Sequence, residues 1–297
     1  MVVECACSVP HRAVALGGAL LTYTLLMDAL QQFATSLTDA ERIGLIFVSL
    51  LLCICLEFYR PLFQFNRPRA RHIGFNLIFV ITSGIVTLGL AYLAFKVLHI
   101  DHWSWGLLPK LGLPEWASFF ISLALLDLFG QYGIHAALHR YKWLWKLHLV
   151  HHSDTEVDAS TGTRHHPGDI MIRELLVLAV ITVFGIAPYV YVIYRLITPV
   201  FAYMTHANVR MPESLDRALS WIIVTPTMHK FHHHDVRPWT NCNYGNILSI
   251  WDRLFGTFSY GDASSVVYGL DTTDAKQDMA LAYQLTLPFN GAIKTDY

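Results

Sequence analysis

Histidines at short and regular spacings are the residues of this sequence with the greatest capacity for chemistry. Of its 16 histidines, 12 lie between His135 and His234. The first pair is spaced H-x-x-x-H, and two later groups share the spacing H-x-x-H-H. Residues three or four apart lie on one face of an α-helix, so each group is predicted to present its imidazoles together. The eight predicted metal ligands are His135, His139, His148, His151, His152, His229, His232 and His233.

A metal centre explains this clustering better than eight separate structural roles. Buried imidazoles without a metal would leave many ring nitrogens without hydrogen-bond partners. Imidazole suits iron, zinc, copper and nickel, and eight nitrogens exceed the four positions of a tetrahedral zinc ion. The predicted centre is therefore dinuclear, and iron is favoured. The sequence has neither the H-E-x-x-H motif of zinc proteases nor a glycine-rich phosphate loop, which argues against hydrolysis.

The composition places these histidines in a membrane protein. Of the 297 residues, 54% are hydrophobic and 14% charged, and the mean hydropathy is +0.40, which excludes a water-soluble globule. The net charge of -1 gives no basic surface for nucleic acid. Five cysteines, two of them inside an apolar run, indicate reduced thiols and not a disulfide framework.

Four apolar runs are predicted to cross the bilayer, because a spanning helix needs about 20 apolar residues. They are residues 13–30, which are interrupted by Asp28, and residues 43–59, 73–95 and 116–134. The intervening segment 60–72 carries four arginines and no acid, so the positive-inside rule places it in the cytoplasm. Following the chain from there, the segment after His135 also begins on the cytoplasmic side.

The run 175–194 is long enough for one more crossing, but a hairpin is favoured. Gly185 and Pro188 interrupt it and Pro199 follows, so two half-helices can return the chain to the face it left. The predicted fold is an all-α integral membrane protein of about four transmembrane helices plus this hairpin, with a cytoplasmic helical cap that holds the dinuclear site. The predicted divisions are transmembrane helices in 1–126, a histidine domain in 127–260 with the hairpin at 175–205, and a cytoplasmic tail in 261–297.

The order of these elements resembles the fatty acid hydroxylase/sterol desaturase superfamily, which consists of integral membrane diiron oxygenases. The resemblance runs from about residue 127 to residue 289. The motifs that carry it are Tyr132, His135, His139-Arg140, Trp143-Leu144-Trp145, His148, His151-His152-Ser153-Asp154, Arg164-His165-His166-Pro167, His206-Ala207-Asn208, Pro226 to His233, Asn243-Tyr244-Gly245 and Trp251-Asp252-Arg253-Leu254-Phe255-Gly256-Thr257. Ala136 and His234 depart from the common family pattern, but neither removes a predicted ligand.

The resemblance adds candidates around the eight histidines. His166 and His206 match family positions and are predicted either to bind metal or to orient a ligand. Asn243 is predicted to cap a helix or to support a ligand histidine. Asp127, a carboxylate inside an apolar run, is predicted to have a buried partner, either a ligand histidine that donates to it or a structural donor. The remaining histidines are interpreted as supporting or surface groups in the case of His165 and His234, and as ordinary residues in the case of His11, His72, His99 and His102.

The function implied by the resemblance is hydroxylation of an unactivated C–H bond of a lipid, with two Fe²⁺ ions and O₂. The two electrons needed would come from a separate reductase, cytochrome or ferredoxin, because no haem, flavin or iron–sulfur motif is found in the sequence. Lipid or sterol desaturation at the same site is the alternative, and a non-catalytic membrane metal-handling protein is a distant one. The C-terminal residues lack an endoplasmic reticulum retention signal, which favours a bacterial inner membrane.

Overall fold

The computed structural model describes residues 11–94 and 105–293, and side chains from residue 22 onward. Within these ranges the chain is helical and its only β-type pairings are two isolated bridges, Pro61 with Val209 and Ile223 with Leu248. The prediction of an all-α protein is confirmed for this part of the chain. The interpretation of His99, His102 and the His11 side chain as ordinary, and the prediction of reduced thiols as it concerns Cys5 and Cys7, fall outside the described residues.

The N-terminal part consists of three long helices. They are α1 (His11–Ser36), α2 (Asp39–Tyr59) and α3 (Arg69–Tyr92). α2 starts at a capping box in which Thr38 accepts from the Glu41 backbone N–H and Glu41 accepts from that of Thr38. A short helix, α4 (Leu107–Lys110), then leads to the next long element.

The next long helix carries the first histidine pair into the protein. It comprises α5 (Glu115–Asp127), a π-helical segment (Leu128–Gly133) and α6 (Ile134–Arg140). A Cβ added at Gly130 would lie 2.9 Å from Val177 and 3.0 Å from the Tyr194 hydroxyl, so only glycine permits this close packing. π-helical insertions are rare and concentrate at functional sites. This one ends two residues before His135, at the start of α6, which carries both His135 and His139.

Among the described residues, three helical stretches are long and apolar enough to cross a membrane: Asp39–Tyr59, Arg69–Tyr92 and Glu115–Arg140. They correspond to three of the four predicted spans. The third is longer than predicted, because it continues through residue 140 and includes His135 and His139. The weaker predicted span, 13–30, lies within the described helix α1, but α1 is not among the three.

The apolar run after the second histidine group forms two helices joined by a tight turn. α8 (Pro167–Phe184) ends at Gly185, whose φ of 67° is left-handed, and α9 (Pro188–His206) begins three residues later. Both outer ends lie beside the same ring, since His165 and His206 have centroids 4.5 and 4.9 Å from that of His151. The chain therefore leaves the histidines and returns to them, as expected for a hairpin, over a wider range than the predicted 175–205.

The two H-x-x-H-H motifs lie on short helices, the second of them ending at the C-cap of its helix. α7 (Lys142–His152) follows α6 after an extended residue, Tyr141. α10 (Glu213–Leu219) precedes α11 (Pro226–His232), which begins with Thr225 as its N-cap and proline in its first turn. The chain continues through α12 (Ile250–Leu254) and α13 (Leu281–Thr286).

The segment predicted as a tail is packed against the cap. Leu287 and Ile293 are buried in one cluster with Phe75 of α3 and Trp145 of α7. The Arg164 guanidinium, fully buried, donates to the carbonyl of Asp278 at 2.6 Å. These contacts join residues 261–293 to the elements that carry the histidines.

Candidate metal centre

Nine buried histidines form two adjacent groups at the C-terminal end of α5–α6. This end is the one predicted to lie on the cytoplasmic side. Within each group the candidate ligand atoms all lie within 4.8 Å of one another. The first histidine group is His135, His139, His148, His152 and His232, and the second histidine group is His151, His206, His229 and His233. The structure thus brings together all eight histidines predicted from their spacing and adds His206.

Each H-x-x-H-H motif contributes to both groups. His148 and His152 of α7 belong to the first group and His151 to the second. In α11 the division is reversed, with His232 in the first group and both His229 and His233 in the second. The adjacent rings of His151 and His152 stand nearly perpendicular, with an interplanar angle of 87° and centroids 5.4 Å apart. Two helices with the same motif therefore build a pair of neighbouring sites.

The outer ring nitrogens of the first group face hydrogen-bond acceptors. Nδ1 of His135 lies 2.9 Å from the Tyr244 carbonyl, and Nδ1 of His232 lies 2.8 Å from that of Cys242. Nδ1 of His148 lies 2.7 Å from Oδ2 of Asp169. Because carbonyl and carboxylate oxygens can only accept, each Nδ1 carries the proton. In the neutral ring, Nε2 is then left with an unprotonated lone pair.

The same arrangement holds in the second group. Nδ1 of His206 donates to the Ala202 carbonyl at 2.6 Å, and Nδ1 of His151 faces that of Arg164 at 3.3 Å. Their Nε2 atoms are only 3.0 Å apart, as are those of His135 and His148 in the first group. Two unprotonated nitrogens at this distance repel each other unless a cation lies between them. Two nitrogens bound at about 2.1 Å to one ion, with a right angle between them, would be about 3.0 Å apart.

Other ring nitrogens in the two groups have no protein partner among the described residues. Both nitrogens of His152 and of His233 are buried without a hydrogen bond, and so is Nε2 of His232. A buried polar atom without a partner costs about 1–3 kcal/mol. A set of buried, convergent and unpaired imidazole nitrogens is the donor set that iron, zinc or copper would take. The residues present therefore fit a metal centre.

Burial also keeps these imidazoles in the form that binds metal. It holds the pKa values of His152 and His233 well below the ordinary value of 6.5. Burial lowers the pKa of His148 to about 4, although the neighbouring Asp169 carboxylate opposes the shift. The rings are neutral at physiological pH, so a metal ion does not have to displace protons from them.

Three of the weaker candidates have partners other than a ligand histidine. His166 is the N-cap of α8, where its Nδ1 accepts from the Gly168 N–H at 3.0 Å, and it belongs to neither group. The Asn243 amide donates to the carbonyls of Met228 and Ser259. In the structure His166 therefore caps α8 and Asn243 joins α11 to the backbone at Ser259, while their predicted roles beside the metal ligands stay predictions.

Asp127 of α5 likewise has other partners, and they hold the segment of Leu248 and Trp251 against this helix. It accepts from Nε1 of Trp251 at 2.9 Å and from the Leu248 N–H at 3.1 Å, and not from a histidine. These partners are structural, which is one of the two alternatives predicted for Asp127. Its partners explain how a carboxylate is retained inside an apolar helix.

Three histidines outside the predicted ligand set have defined positions. His165 stacks on His151, and its Nδ1 lies 3.2 Å from the same Asp169 oxygen that faces His148. His72, interpreted as ordinary, is buried with its two nitrogens 3.0 Å from Asp158 and 2.9 Å from Asp154. His234 pairs with the adjacent Asp235 and belongs to neither group.

Two acidic residues that were not predicted hold the first group in place. Asp169, in the first turn of α8, accepts from His148 and from Nε of Arg173 at 2.7 Å each. Asp252 accepts from the backbone N–H groups of Tyr244 and Gly245 at 2.7 and 2.9 Å, and so fixes the carbonyl that faces His135. Asp169 could have been identified from the sequence, because it lies two residues after His166-Pro167. The Tyr244 carbonyl could not, because every residue type has a main-chain carbonyl.

Comparison with known families accounts for this arrangement. Residues 120–257 match the family model for fatty acid hydroxylases, and this range contains all nine histidines of the two groups. Residues 120–257 are therefore similar to the fatty acid hydroxylase family. The resemblance inferred from the histidine motifs is confirmed, and the fatty acid hydroxylase domain extends from the middle of α5 to the end of the Trp251–Thr257 segment.

Individual relatives of the fatty acid hydroxylase domain act on different lipids, as their names state. Ornithine lipid hydroxylase of Rhizobium tropici is 32% identical over 163 residues, covering 54% of this chain and 47% of that protein. Human alkylglycerol monooxygenase is 31% identical over 155 residues, covering 52% of this chain and 33% of that protein. Human lathosterol oxidase is 24% identical over 265 residues, 84% of this chain and 85% of that one.

The chain spans less than half the length of the first two relatives. No solved structure matches the chain.

Proposed function

We propose that this protein is a membrane-bound oxygenase that hydroxylates an unactivated C–H bond of a lipid. The observation that carries the proposal is the pair of adjacent buried histidine groups with unprotonated nitrogens 3.0 Å apart. Relatives named as a lipid hydroxylase and a monooxygenase support the reaction class. In the proposed reaction, R–H, O₂, two electrons and two protons give R–OH and water.

We assign one iron ion to each histidine group. Bound iron would supply the reduction of O₂ and the oxidation of the C–H bond. The chain itself fixes the imidazoles through the carbonyls of Tyr244, Cys242 and Ala202, and it excludes bulk water by burying every ring. A separate reductase, cytochrome or ferredoxin would deliver the electrons.

The proposed location is a membrane with the histidine groups on its cytoplasmic side. The three apolar helices support membrane insertion. The arginines of segment 60–72 support the orientation, and a bacterial inner membrane is the proposed compartment. A lipid chain could then reach the first histidine group from the bilayer through the end of α5–α6 without crossing water.

A second candidate is desaturation or oxidation of a sterol at the same groups. The match to lathosterol oxidase favours it, because that match covers 84% of the chain and includes the N-terminal helices. Hydroxylation and desaturation share the first hydrogen abstraction and differ in the step that follows. The product therefore distinguishes the two candidates, whereas the positions of the histidines do not.

The decisive experiment measures metal content and product together. Detergent-purified protein from iron-supplemented, zinc-poor cells is expected to hold two irons per chain that O₂ reoxidises after reduction. With a supplied electron donor and ¹⁸O₂, a lipid product should gain one labelled oxygen. A product with a new double bond and no label would favour desaturation. Tightly bound zinc, or metal movement across liposomes without O₂ consumption, would overturn the oxygenase proposal.

A further inference from the structure

An exposed apolar surface lies on two segments that flank α11. We call it the apolar rim, and every side chain in it is more than half exposed. It consists of Trp221, Ile222, Ile250, Leu254 and Phe255. The two segments are joined by the Ser249 N–H, which donates to the Ile222 carbonyl at 3.1 Å, and by the bridge between Ile223 and Leu248. The rim is therefore one surface and not scattered residues.

The apolar rim is continuous with the third apolar span. Next to Ile250, Trp251 donates to Asp127 of α5, as does the backbone of Leu248. Phe255 stacks on Tyr132 of the π-helical segment, with centroids 5.2 Å apart and planes inclined by 20°. These contacts place the rim beside the C-terminal half of the apolar helix Glu115–Arg140, between its midpoint at Asp127 and the histidines of α6.

A chain of aromatic rings runs inward from the rim. Tyr132, buried behind Phe255, lies 6.2 Å from the buried Tyr244 ring, which in turn lies 5.2 Å from His139. The Tyr132 hydroxyl is tied to Oγ1 of Thr257 at 3.1 Å, so this ring is fixed in position. Phe255, by contrast, is exposed and precedes Gly256, which ends the short helix α12 at a φ of 73°. The line from the outer surface to the first histidine group therefore consists of the exposed ring of Phe255 and the buried rings of Tyr132 and Tyr244.

The charge next to the rim suits a membrane surface. The Arg253 guanidinium lies over the Trp221 and Phe258 rings, 3.9 and 3.7 Å from their centroids. An arginine that covers apolar rings with its charge at the edge is the arrangement that side chains adopt at a membrane boundary. Tryptophan is likewise enriched at that level.

We propose that the apolar rim enters the hydrocarbon boundary beside α5–α6 and admits the chain of the lipid substrate past Phe255 toward the first histidine group. Phe255 and Tyr132 are then the residues that contact the hydrocarbon chain outside the metal centre and influence which chain is accepted. This inference rests on the proposed lipid oxygenase function for the identity of the chain, but the membrane contact of the rim does not depend on catalysis.

The membrane contact is tested by fluorescence in liposomes. Leu254→Cys, in a background with the five native cysteines changed to alanine, is labelled with an environment-sensitive dye and exposed to nitroxide-bearing phospholipids. Val267→Cys is the matched control, because Val267 is also an exposed aliphatic residue but lies outside the rim. The label at position 254 is expected about 5–10 Å below the headgroups, whereas the label at 267 should remain unquenched.

Three results would overturn the membrane contact. These are an unquenched label at position 254, equal quenching at both positions, and crosslinking of Leu254→Cys into dimers in place of quenching, which would assign the rim to a second copy of the chain. The background protein must retain the iron content of the wild type, and Trp221→Cys provides a second position in the rim with the same expected depth. None of these readouts requires turnover.

The role in accepting the chain is tested by selectivity. Phe255→Ala should change the ratio of kcat/KM values for two lipids of different chain length by about tenfold or more, with the iron content unchanged. Phe289→Ala is the control, since Phe289 is exposed but lies next to His166 and away from the rim. An unchanged ratio in Phe255→Ala overturns the entry route. Failure of the wild type to turn over any lipid would instead count against the proposed function, while the fluorescence result would stand.

Discussion

The two histidine groups differ in number and in how they are supported. The first has five rings, and three of these donate outward to Tyr244, Cys242 and Asp169. The second has four rings, supported by the carbonyls of Ala202 and Arg164. An ion in the first group would thus have up to five imidazole ligands, and an ion in the second up to four.

The difference follows from the elements that supply each group. The first group takes two histidines from the end of the third span, shortly after the π-helical segment. The second group takes none from that span and depends on α9 returning from the hairpin with His206. The first group therefore depends on the position of the apolar helix Glu115–Arg140, and the second depends on the position of α9 after the hairpin.

The largest effect is expected from removing a ring of the smaller group. His206→Ala leaves the second group with three rings, and we expect loss of that ion and a fall in turnover of more than about 100-fold, beyond the range typical of supporting residues. Iron per chain, measured on purified protein, should fall from two to one. His234→Ala is the control, since His234 pairs with Asp235 outside both groups. Two retained irons in His206→Ala would remove this residue from the ligand set.

A smaller effect is expected from the same change in the larger group. His139→Ala leaves four rings in the first group, which equals the number in the intact second group. We therefore expect retention of both irons in a fraction of molecules and weaker binding, measured by the chelator concentration that removes half of the iron. If His139→Ala lost iron more readily than His206→Ala, the comparison of the two groups by ring number would be wrong.

A still smaller effect is expected from the carboxylate that supports His148. Asp169→Asn keeps the shape of the side chain but removes the charge that orients Nδ1–H of His148. Loss of such a partner typically lowers metal affinity about 10–100-fold. Asp262→Asn provides a control on an exposed aspartate that caps a short turn. Asp169→Asn with wild-type iron affinity would show that the fixed backbone alone orients His148.

The parts of the two histidine groups and the hairpin that could be predicted from the sequence are those encoded by local spacing. Intervals of three and four residues marked the histidines of α6, α7 and α11, and Gly185 with Pro188 marked the turn of the hairpin. His206 stayed an open candidate because its membership in the second group depends on where α9 returns. The supports of His135 and His232 are main-chain carbonyls of Tyr244 and Cys242, which any residue type could supply.

The contacts of the N-terminal helices with the histidine region were also not predictable from local spacing. Glu57 lies in the predicted span 43–59, and His72 directly precedes the predicted span 73–95. Neither residue is part of a recognisable motif. In the structure Glu57 accepts from the backbone of Ala159 and Asn208, while His72 lies between Asp154 and Asp158. These contacts link residues more than 80 positions apart, and only the packing of α2 and α3 on the cap creates them.

The smallest predicted effect concerns Asp252, which supports the first group only through the Tyr244 backbone. Burial raises the pKa of Asp252 to about 6, against an ordinary value of 3.8. Between these two values the folded protein binds more protons at this site than the unfolded chain. The contribution of Asp252 to stability therefore decreases as pH rises through this window, by up to about 1.4 kcal/mol per pH unit.

Asp252→Asn removes this titration, so the thermal midpoint of the wild type should fall relative to that of the variant as pH increases from 4 to 6. A change of 1 kcal/mol corresponds to about 2–4 °C in a chain of 150–250 residues. The comparison is made on detergent-purified protein at matched pH, so that all other titrating groups cancel between the two proteins. A constant difference between the two midpoints would show that Asp252 is ionised throughout the window. Its two backbone donors would then hold the charge, and the Tyr244 carbonyl would be fixed independently of pH.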